Sequence, residues 1–387
     1  MNILTNWMRI ILALLILLAA GLACSLEDRT PEPLATARDA AQPGEETAAF
    51  QNQFAWQRTA FGFFPSPGEP TVEGMISTIQ GAADHGDVLL FQEQVPWSDF
   101  QQGAEGESQA ADELSEVVNF ARLNGLEAIF VVDPLNGLNR REFLGLPESL
   151  QGGDFSTPEI RSAYLNFALR LAGEYQPRYL GLASEINTYF DAHPGDQEHF
   201  LSLYRETYQA VKQISPHTQV FVTFQWDDLN RLDGDGQPYQ IKWEQIEVFE
   251  PQLDLWAISS YPFFFFPSPA DIPEDYYTPL LERTEKPLAL SEGGWSTQPV
   301  LDRVTSPQMQ VDYLHLLDEQ LGDRLVFWIN LTYSDLDWPA YQEVFQQQGS
   351  ENDLMTLSNF IYLGLVEVDG TPKPGLQVWD QLRDNSP

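Results

Sequence analysis

A single (β/α)8 barrel is the fold this sequence predicts, and three observations predict it. Eight short apolar runs recur along the chain, each followed by a loop and then by a segment of helical periodicity, and alternation of that kind builds a parallel sheet. From about Phe50 onward, roughly 335 residues carry aromatics throughout with no second low-complexity break, which suits one large domain. The runs are apolar on both faces, and no glycine-rich dinucleotide fingerprint follows the first of them. Both features favour a closed barrel over an open doubly wound sheet.

The strands are expected at 59–64, 87–91, 127–132, 179–183, 219–224, 253–259, 287–290 and 324–329. Helices are expected between them at 72–83, 110–124, 158–175, 197–214, 241–249, 276–283 and 307–321, with a closing helix at 376–382 after the turn Val368-Asp369-Gly370. Thr157-Pro158 and Ser306-Pro307 each place a capping hydroxyl ahead of a proline at the first helical position. The loops after the third, fifth, sixth and eighth strands are long, while the returns from helix to strand are short. Long loops on one face build a site, and in such barrels that face lies at the carboxyl ends of the strands.

Ahead of the barrel, residues 1–23 read as an export signal: Arg9, an apolar stretch from Ile10 to Ala20, then Gly21-Leu22-Ala23 directly before Cys24. Cys24 is the only cysteine in 387 residues, so no intramolecular disulfide can form, and its position suits lipid attachment. Residues 24–49, rich in Pro, Glu, Ala, Thr and Asp, are expected to be a disordered tether, which leaves 50–387 as the catalytic domain. The expected location is extracytoplasmic, at a bacterial cell surface or in a periplasm, with the lipid anchor as the only tie to the membrane. An uncleaved N-terminal membrane helix is the competing reading and leaves the domain on the same side.

The 57 acidic residues against 20 basic ones give a net charge of −37. That excess makes nucleic acid and other polyanions poor ligands and reads as a solvated exterior. A monomer is expected. The five histidines lie on separate units, with no two at metal-ligand spacing on one helix. Asp233-Gly234-Asp235-Gly236 begins like a calcium loop without the remaining ligands and reads as a turn. There is no Gly-x-Ser-x-Gly elbow and no phosphate-cradling loop, so neither a metal nor a cofactor is expected.

Read in order, the strand ends offer Asp133 after the third strand, Ser184-Glu185-Ile186-Asn187 after the fourth and Gln225-Trp226-Asp227 after the fifth. Tyr261 follows the sixth, Glu292 the seventh, and Trp328 lies within the eighth. A barrel sets its fourth and seventh strands on opposite sides of the mouth, so Glu185 and Glu292 can face each other across a ligand. Hydrolysis of a glycosidic bond needs two carboxyl groups so arranged, about 5 to 5.5 Å apart where configuration is retained. The aromatic load, 24 Phe, 14 Tyr and 10 Trp, supplies flat apolar faces of the kind sugars stack on, although rings also fill cores. Trp97, Trp226, Trp295 and Trp338 are loop candidates for stacking. The four consecutive phenylalanines from Phe263 to Phe266 cannot all face one side, so some must line the cleft or cover a neighbouring loop.

Gly181-Leu182-Ala183-Ser184-Glu185-Ile186-Asn187 resembles the fourth-strand acid/base segment of the clan A retaining glycosidases, and Leu288-Ala289-Leu290-Ser291-Glu292-Gly293-Gly294-Trp295 resembles their seventh-strand nucleophile segment. Trp256-Ala257-Ile258-Ser259-Ser260-Tyr261-Pro262-Phe263 resembles the sixth strand, which supplies a tyrosine beside the nucleophile. Val326-Phe327-Trp328 is similar to the eighth, with its tryptophan under the reacting sugar. The tail from Gly364-Leu365 to Gly370-Thr371-Pro372-Lys373-Pro374 is similar to the ending of such barrels. Within the clan, family 53 endo-galactanases and family 17 glucanases are nearest in feel.

The resemblance implies double displacement on a β-linked poly- or oligosaccharide, with Glu292 as nucleophile and Glu185 as acid/base. Glu185 would start protonated, and hydrogen bonds such as one from Tyr261 would keep Glu292 ionised. Asp133, Ser184, Asn187, Trp226, Tyr261, Trp295 and Trp328 are the expected substrate-binding residues. The clan carries asparagine where this chain has Ser184, a shorter group at the position that meets the sugar's 2-hydroxyl. Two other readings use the same residues: a surface lipoprotein that binds glycans without cleaving them, and an envelope transglycosylase.

Overall fold

A computed structural model describes residues 58–230, 232, 240–300, 303–348 and 351–386. The export signal, Cys24, the whole tether and Asp233–Gly236 lie outside the described residues. Eight parallel strand runs form the barrel expected from the sequence. They are β1 (Ala60–Phe63), β2 (Val88–Gln94), β3 (Glu127–Asp133), β6 (Tyr179–Gly181), the paired segments β7 (Gln219–Phe221) and β8 (Thr223–Gln225), β9 (Trp256–Ser260), β10 (Leu288–Gly293) and β11 (Leu325–Asn330). A small antiparallel hairpin, β4 (Leu135–Asn136) with β5 (Asn139–Phe143), stands in the loop after β3.

The sheet runs β7-β6-β3-β2-β1-β11-β10-β9-β8. Its two edges, β7 and β8, are adjoining pieces of one run interrupted at Val222, so the sheet closes on itself. β7 pairs with β6 while β8 pairs with β9, and Thr223 N–H donates to Ala183 O at 3.0 Å across the seam. Inside, alternate side chains meet: the ring of Phe327 lies 5.1 Å from that of Tyr179 and 5.8 Å from that of Phe221.

Local chemistry sets the helix bounds. Pro158–Tyr175, Gln197–Ile214 and Pro307–Leu321 run over the expected residues, and Ser306 Oγ caps the last by accepting from Met309 N–H. The segment expected at 241–249 is helical only over Glu244–Glu247, with three-residue turns at both ends that bond Ile246 N–H to Trp243 O and Phe249 N–H to Ile246 O. The helix expected from Tyr276 begins at Thr278, because Tyr277 N–H is already taken by the side chain of Gln320 at 2.9 Å. β2 outruns its expected end: Gln92, Glu93 and Gln94 keep pairing with Val131, Val132 and Asp133, which carries two glutamines to the barrel mouth.

After β11 the chain makes an excursion over Trp338–Gln348 and Glu351–Leu357 with an apolar cluster of its own, Leu336, Tyr341, Phe345, Leu357 and Ile361. A buried ion pair moors the chain on either side of it. Lys373 Nζ donates to Asp335 Oδ1 at 2.5 Å and to Thr297 Oγ1 at 2.9 Å, with both charged side chains at 2% exposure or less. Burial pushes the Asp335 carboxyl up to about 7 even against the pull of Lys373, and burial likewise lowers Lys373.

Removing one partner from such a pair strands the other. Lys373→Met is therefore expected to cost about 3–5 kcal/mol in urea unfolding, with Asp335→Asn/Lys373→Met recovering part of the loss. A carboxyl raised in the folded state favours folding at low pH and loses that contribution as pH rises, so the Lys373→Met deficit should be smaller at pH 5 than at pH 8.

Candidate active site

Glu185 and Glu292 reach the same place at the carboxyl end of the barrel, each through a local distortion. Glu185 lies four residues past the fourth strand run and starts helix Ile186–Ala192 from a left-handed backbone, φ 49° and ψ 42°, a strained conformation for a residue with a Cβ. Its N–H donates to Thr223 Oγ1 at 2.8 Å, which ties the turn to the fifth strand run. Glu292 lies in a register shift between β10 and β9, where Leu290 pairs with Ile258 but Glu292 pairs with Ser259. A bulge of this kind re-aims a side chain, and here it turns Glu292 into the mouth.

One guanidinium joins the two carboxylates. Arg140, on β5 of the hairpin, donates from Nε to Glu185 Oε2 at 2.8 Å, and its Nη2 lies 3.2 Å from Ser184 Oγ and 3.7 Å from Glu292 Oε1. Its Nη1 donates to Asp133 Oδ2, which also accepts from Gln92 Nε2 at 3.0 Å. Burial alone would lower the guanidinium pKa, but Asp133, Glu185 and Glu292 outweigh it and raise the value, so Arg140 is a fixed cation. Sequence reasoning missed this residue. Asn136-Gly137, a strong hairpin signal, followed by two arginines in a chain poor in bases, is the pattern that points to it.

Each glutamate has further donors. Ser259 Oγ donates to Glu185 Oε1 at 2.5 Å. Tyr261 Oη donates to Glu292 Oε2 at 3.0 Å and Ser184 Oγ to Glu292 Oε1 at 3.1 Å. The bond from Tyr261 is the one expected, yet it does not hold Glu292 low. Burial, then the charge of Glu185, push the Glu292 carboxyl up to about 7 against Arg140, Tyr261 and Ser184. Tyr261 is itself oriented by Asp227, which accepts its backbone N–H at 2.7 Å and the Tyr276 hydroxyl at 2.5 Å.

Above these groups opens a cavity of about 440 Å³. Asp133, Tyr261, Glu185 and Glu292 line it; Ser184, fully buried, lies beneath it against Glu292. Asn187 does not border the cavity: its side chain holds Gln225 N–H at 2.8 Å and Asp228 Oδ2 at 2.8 Å, fastening the end of β8. Trp226 is enclosed by Trp243, Tyr276 and Tyr277, and Trp295 by Phe263 and Tyr313. Trp328 points out of the barrel onto Phe61 and Trp379, because parity along β11 sends Phe327 and Ile329 inward and Leu331 into the cavity wall. Trp97 donates to Leu144 O at 2.6 Å and packs on Phe143, and Trp338 packs against the excursion's own cluster. Among the described residues, the cavity wall contains no tryptophan. Of the four consecutive phenylalanines, Phe264 and Phe265 line the cavity, while Phe263 packs on Trp295 and Phe266 on Tyr276.

Away from the mouth, Asp154, Asp196 and His199 bring ligand-type atoms within 4.8 Å of one another. Asp196 is spent on structure there, accepting from Tyr189 Oη at 2.7 Å and from Phe155 N–H at 3.0 Å.

No protein-family model and no curated protein matches this chain. Solved structures do. The exo-β-1,4-mannosidase Op5Man5 from Opitutaceae bacterium strain TAV5 superposes with a TM-score of 0.61 at 15% identity, over 84% of this chain and 59% of that one. A GH5_18 protein from Bifidobacterium longum subsp. longum ATCC 55813 gives 0.60 at 16%, over 85% and 79%. The β-glycosidase BGL167 gives 0.56 at 14%, over 81% and 85%. The chain thus spans 59% of the length of the first of these, and three fifths to six sevenths of all three. None of the three is described as a family 53 galactanase or a family 17 glucanase, the families nearest in feel to the sequence. At these identities the likeness establishes the fold, a (β/α)8 barrel.

Proposed function

We propose that this chain is a retaining hydrolase of β-linked glycosides in which Glu292 is the nucleophile and Glu185 the acid/base. The observation that carries the proposal is the convergence of two buried glutamates, from the fourth and seventh strand runs, on one guanidinium at the barrel mouth, with a tyrosine hydroxyl on the second. The structural relatives, one named GH5_18 and others exo-β-1,4-mannosidase and β-glycosidase, support a family 5-like reading over a family 53 or 17 one.

In the first step Glu292 attacks the anomeric carbon, the glycosidic bond breaks, and the proton on Glu185 passes to the leaving oxygen. In the second, Glu185 takes a proton from water, whose oxygen displaces Glu292 from the anomeric carbon. The state that reacts holds one proton between the two carboxyls. Burial and the charge of Glu185 hold the Glu292 carboxyl up at about 7, so the mouth keeps a proton to near neutrality. Arg140 Nε and Ser259 Oγ both donate to Glu185 and fix where its carboxyl stands.

The seating of Arg140 across both carboxylates is also the one observation that favours a barrel binding glycans without cleaving them. Catalysis decides between the readings. Glu185→Gln is expected to lower kcat on a β-glycoside with a poor leaving group by about 100- to 10,000-fold, and Glu292→Gln by at least as much. Wild-type turnover no faster than that of either variant would favour the binding module.

The pH dependence follows from the pair. kcat/KM should fall as pH rises through about 7, where the shared proton is lost. Arg140 lowers Glu292, so Arg140→Met should move that limb to higher pH, an effect visible in the pH profile whatever it does to the rate.

Location is the second part of the proposal: an extracytoplasmic protein, monomeric and lipid-anchored through Cys24, that acts on carbohydrate and not on nucleic acid. It is supported by the apolar stretch and small residues before Cys24 and by the net charge of −37. Cys24→Ala should release the protein from the membrane fraction, read by fractionation and palmitate labelling. Continued labelling would remove the anchor at this site.

A further inference from the structure

The cavity carries an apolar patch beside its polar groups. Gln92, Asp133 and Arg140 surround the two glutamates at the floor, and Asn139, Arg141, Thr188 and Thr356 are among the polar side chains that border the cavity elsewhere. Asp228, also at the wall, is engaged by Asn187. Above the floor stand Leu138 and Leu144 from the hairpin and Phe264, Phe265 and Phe360 from the far side. Phe360 meets Tyr261 at 5.1 Å and Phe264 at 5.7 Å, edge to face, so this wall is one packed surface. Leu138 and Leu144 border the cavity from the same segment as Arg140, which donates to Glu185, so this part of the patch belongs to the element that meets the acid.

A sugar has hydroxyls around its ring, and each must keep a partner when it leaves water. The floor offers such partners to one ring. The patch of Leu138, Leu144, Phe264, Phe265 and Phe360 offers side chains without hydrogen-bonding atoms, and no tryptophan face among the described residues lines the cavity for a second ring to stack on. The volume, about 440 Å³, lies at the low end of the range for small-molecule pockets, enough for one pyranose with a modest apolar group.

We infer that the substrate is a β-glycoside of a single sugar carrying an apolar aglycone, with the sugar on the polar floor and the aglycone against Leu138, Leu144, Phe264, Phe265 and Phe360. This rests on the hydrolase reading above. It assigns the site to amphiphilic glycosides in place of polysaccharide chains.

The test compares leaving groups of equal chemistry and different apolar length. Methyl and hexyl β-glycosides of mannose, glucose and galactose are assayed with the full chain below any micelle concentration, beside β-1,4-linked trisaccharides of the same sugars. For the accepted sugar, hexyl should exceed methyl by about thirty-fold in kcat/KM, the effect of burying about half the added methylenes. The trisaccharide should fall below hexyl. Leu138→Asn, which puts a polar group in the wall, should shrink the hexyl-to-methyl ratio toward one. Hydrolysis with equal methyl and hexyl rates, or a trisaccharide preferred over hexyl, overturns this inference and leaves the hydrolase standing. If nothing in the panel is hydrolysed while hexyl glycosides still bind more tightly than methyl ones by calorimetry, the hydrolase reading fails and the apolar subsite survives. If hexyl and methyl bind equally, the subsite fails as well.

Discussion

A single positive charge, held out of water among three negative ones, organises the mouth of this barrel. Asp133, Glu185 and Glu292 come from three different strand runs, and without Arg140 their mutual repulsion in a buried setting would force protons onto them or drive them apart. With it, the mouth has a defined arrangement: the hairpin is pinned to the third and fourth strand runs, Ser184 is oriented toward Glu292, and the Glu292 carboxyl, raised by burial and by Glu185, is drawn back down by the guanidinium. The hairpin exists to deliver that charge. Its two-residue turn is closed by Asn136, whose side chain accepts from Leu138 N–H at 2.8 Å.

The acids owe their aim to irregularities in an otherwise regular barrel. A left-handed residue at the start of a short helix presents Glu185, and a shifted register presents Glu292. Both cost backbone regularity, and both are fastened by hydroxyls: Glu185 by Thr223 and Ser259 of the neighbouring fifth and sixth strand runs, Glu292 by Ser184 and Tyr261. Buried Asp227 does the same for Tyr261, gathering four donors so that the phenol faces Glu292.

Much of this architecture was legible in the sequence, and the physics explains which parts. Strands buried on both faces read as apolar runs, and all eight appear where they were expected. Helices that begin at Thr-Pro or Ser-Pro and keep a long amphipathic period match their expected spans, whereas one-turn segments do not, since tertiary bonds decide where they start. Glu185 and Glu292 could be placed at strand ends because position along a strand is a local property. Which way a side chain points depends on parity, and Trp328 lies one residue from the inward-facing set. Arg140 was hidden for a different reason: its role depends on three partners distant in sequence, and a loop hairpin announces its turn but not its destination.

The excursion after the last barrel strand has its own small core, and among its described residues Thr356 and Phe360 border the cavity. An element that folds around private contacts answers to different constraints from the scaffold beneath it. Its sequence can drift, lengthen or be exchanged while the acids below stay in place, so lineages sharing this barrel can diverge in what they accept without re-inventing how they react.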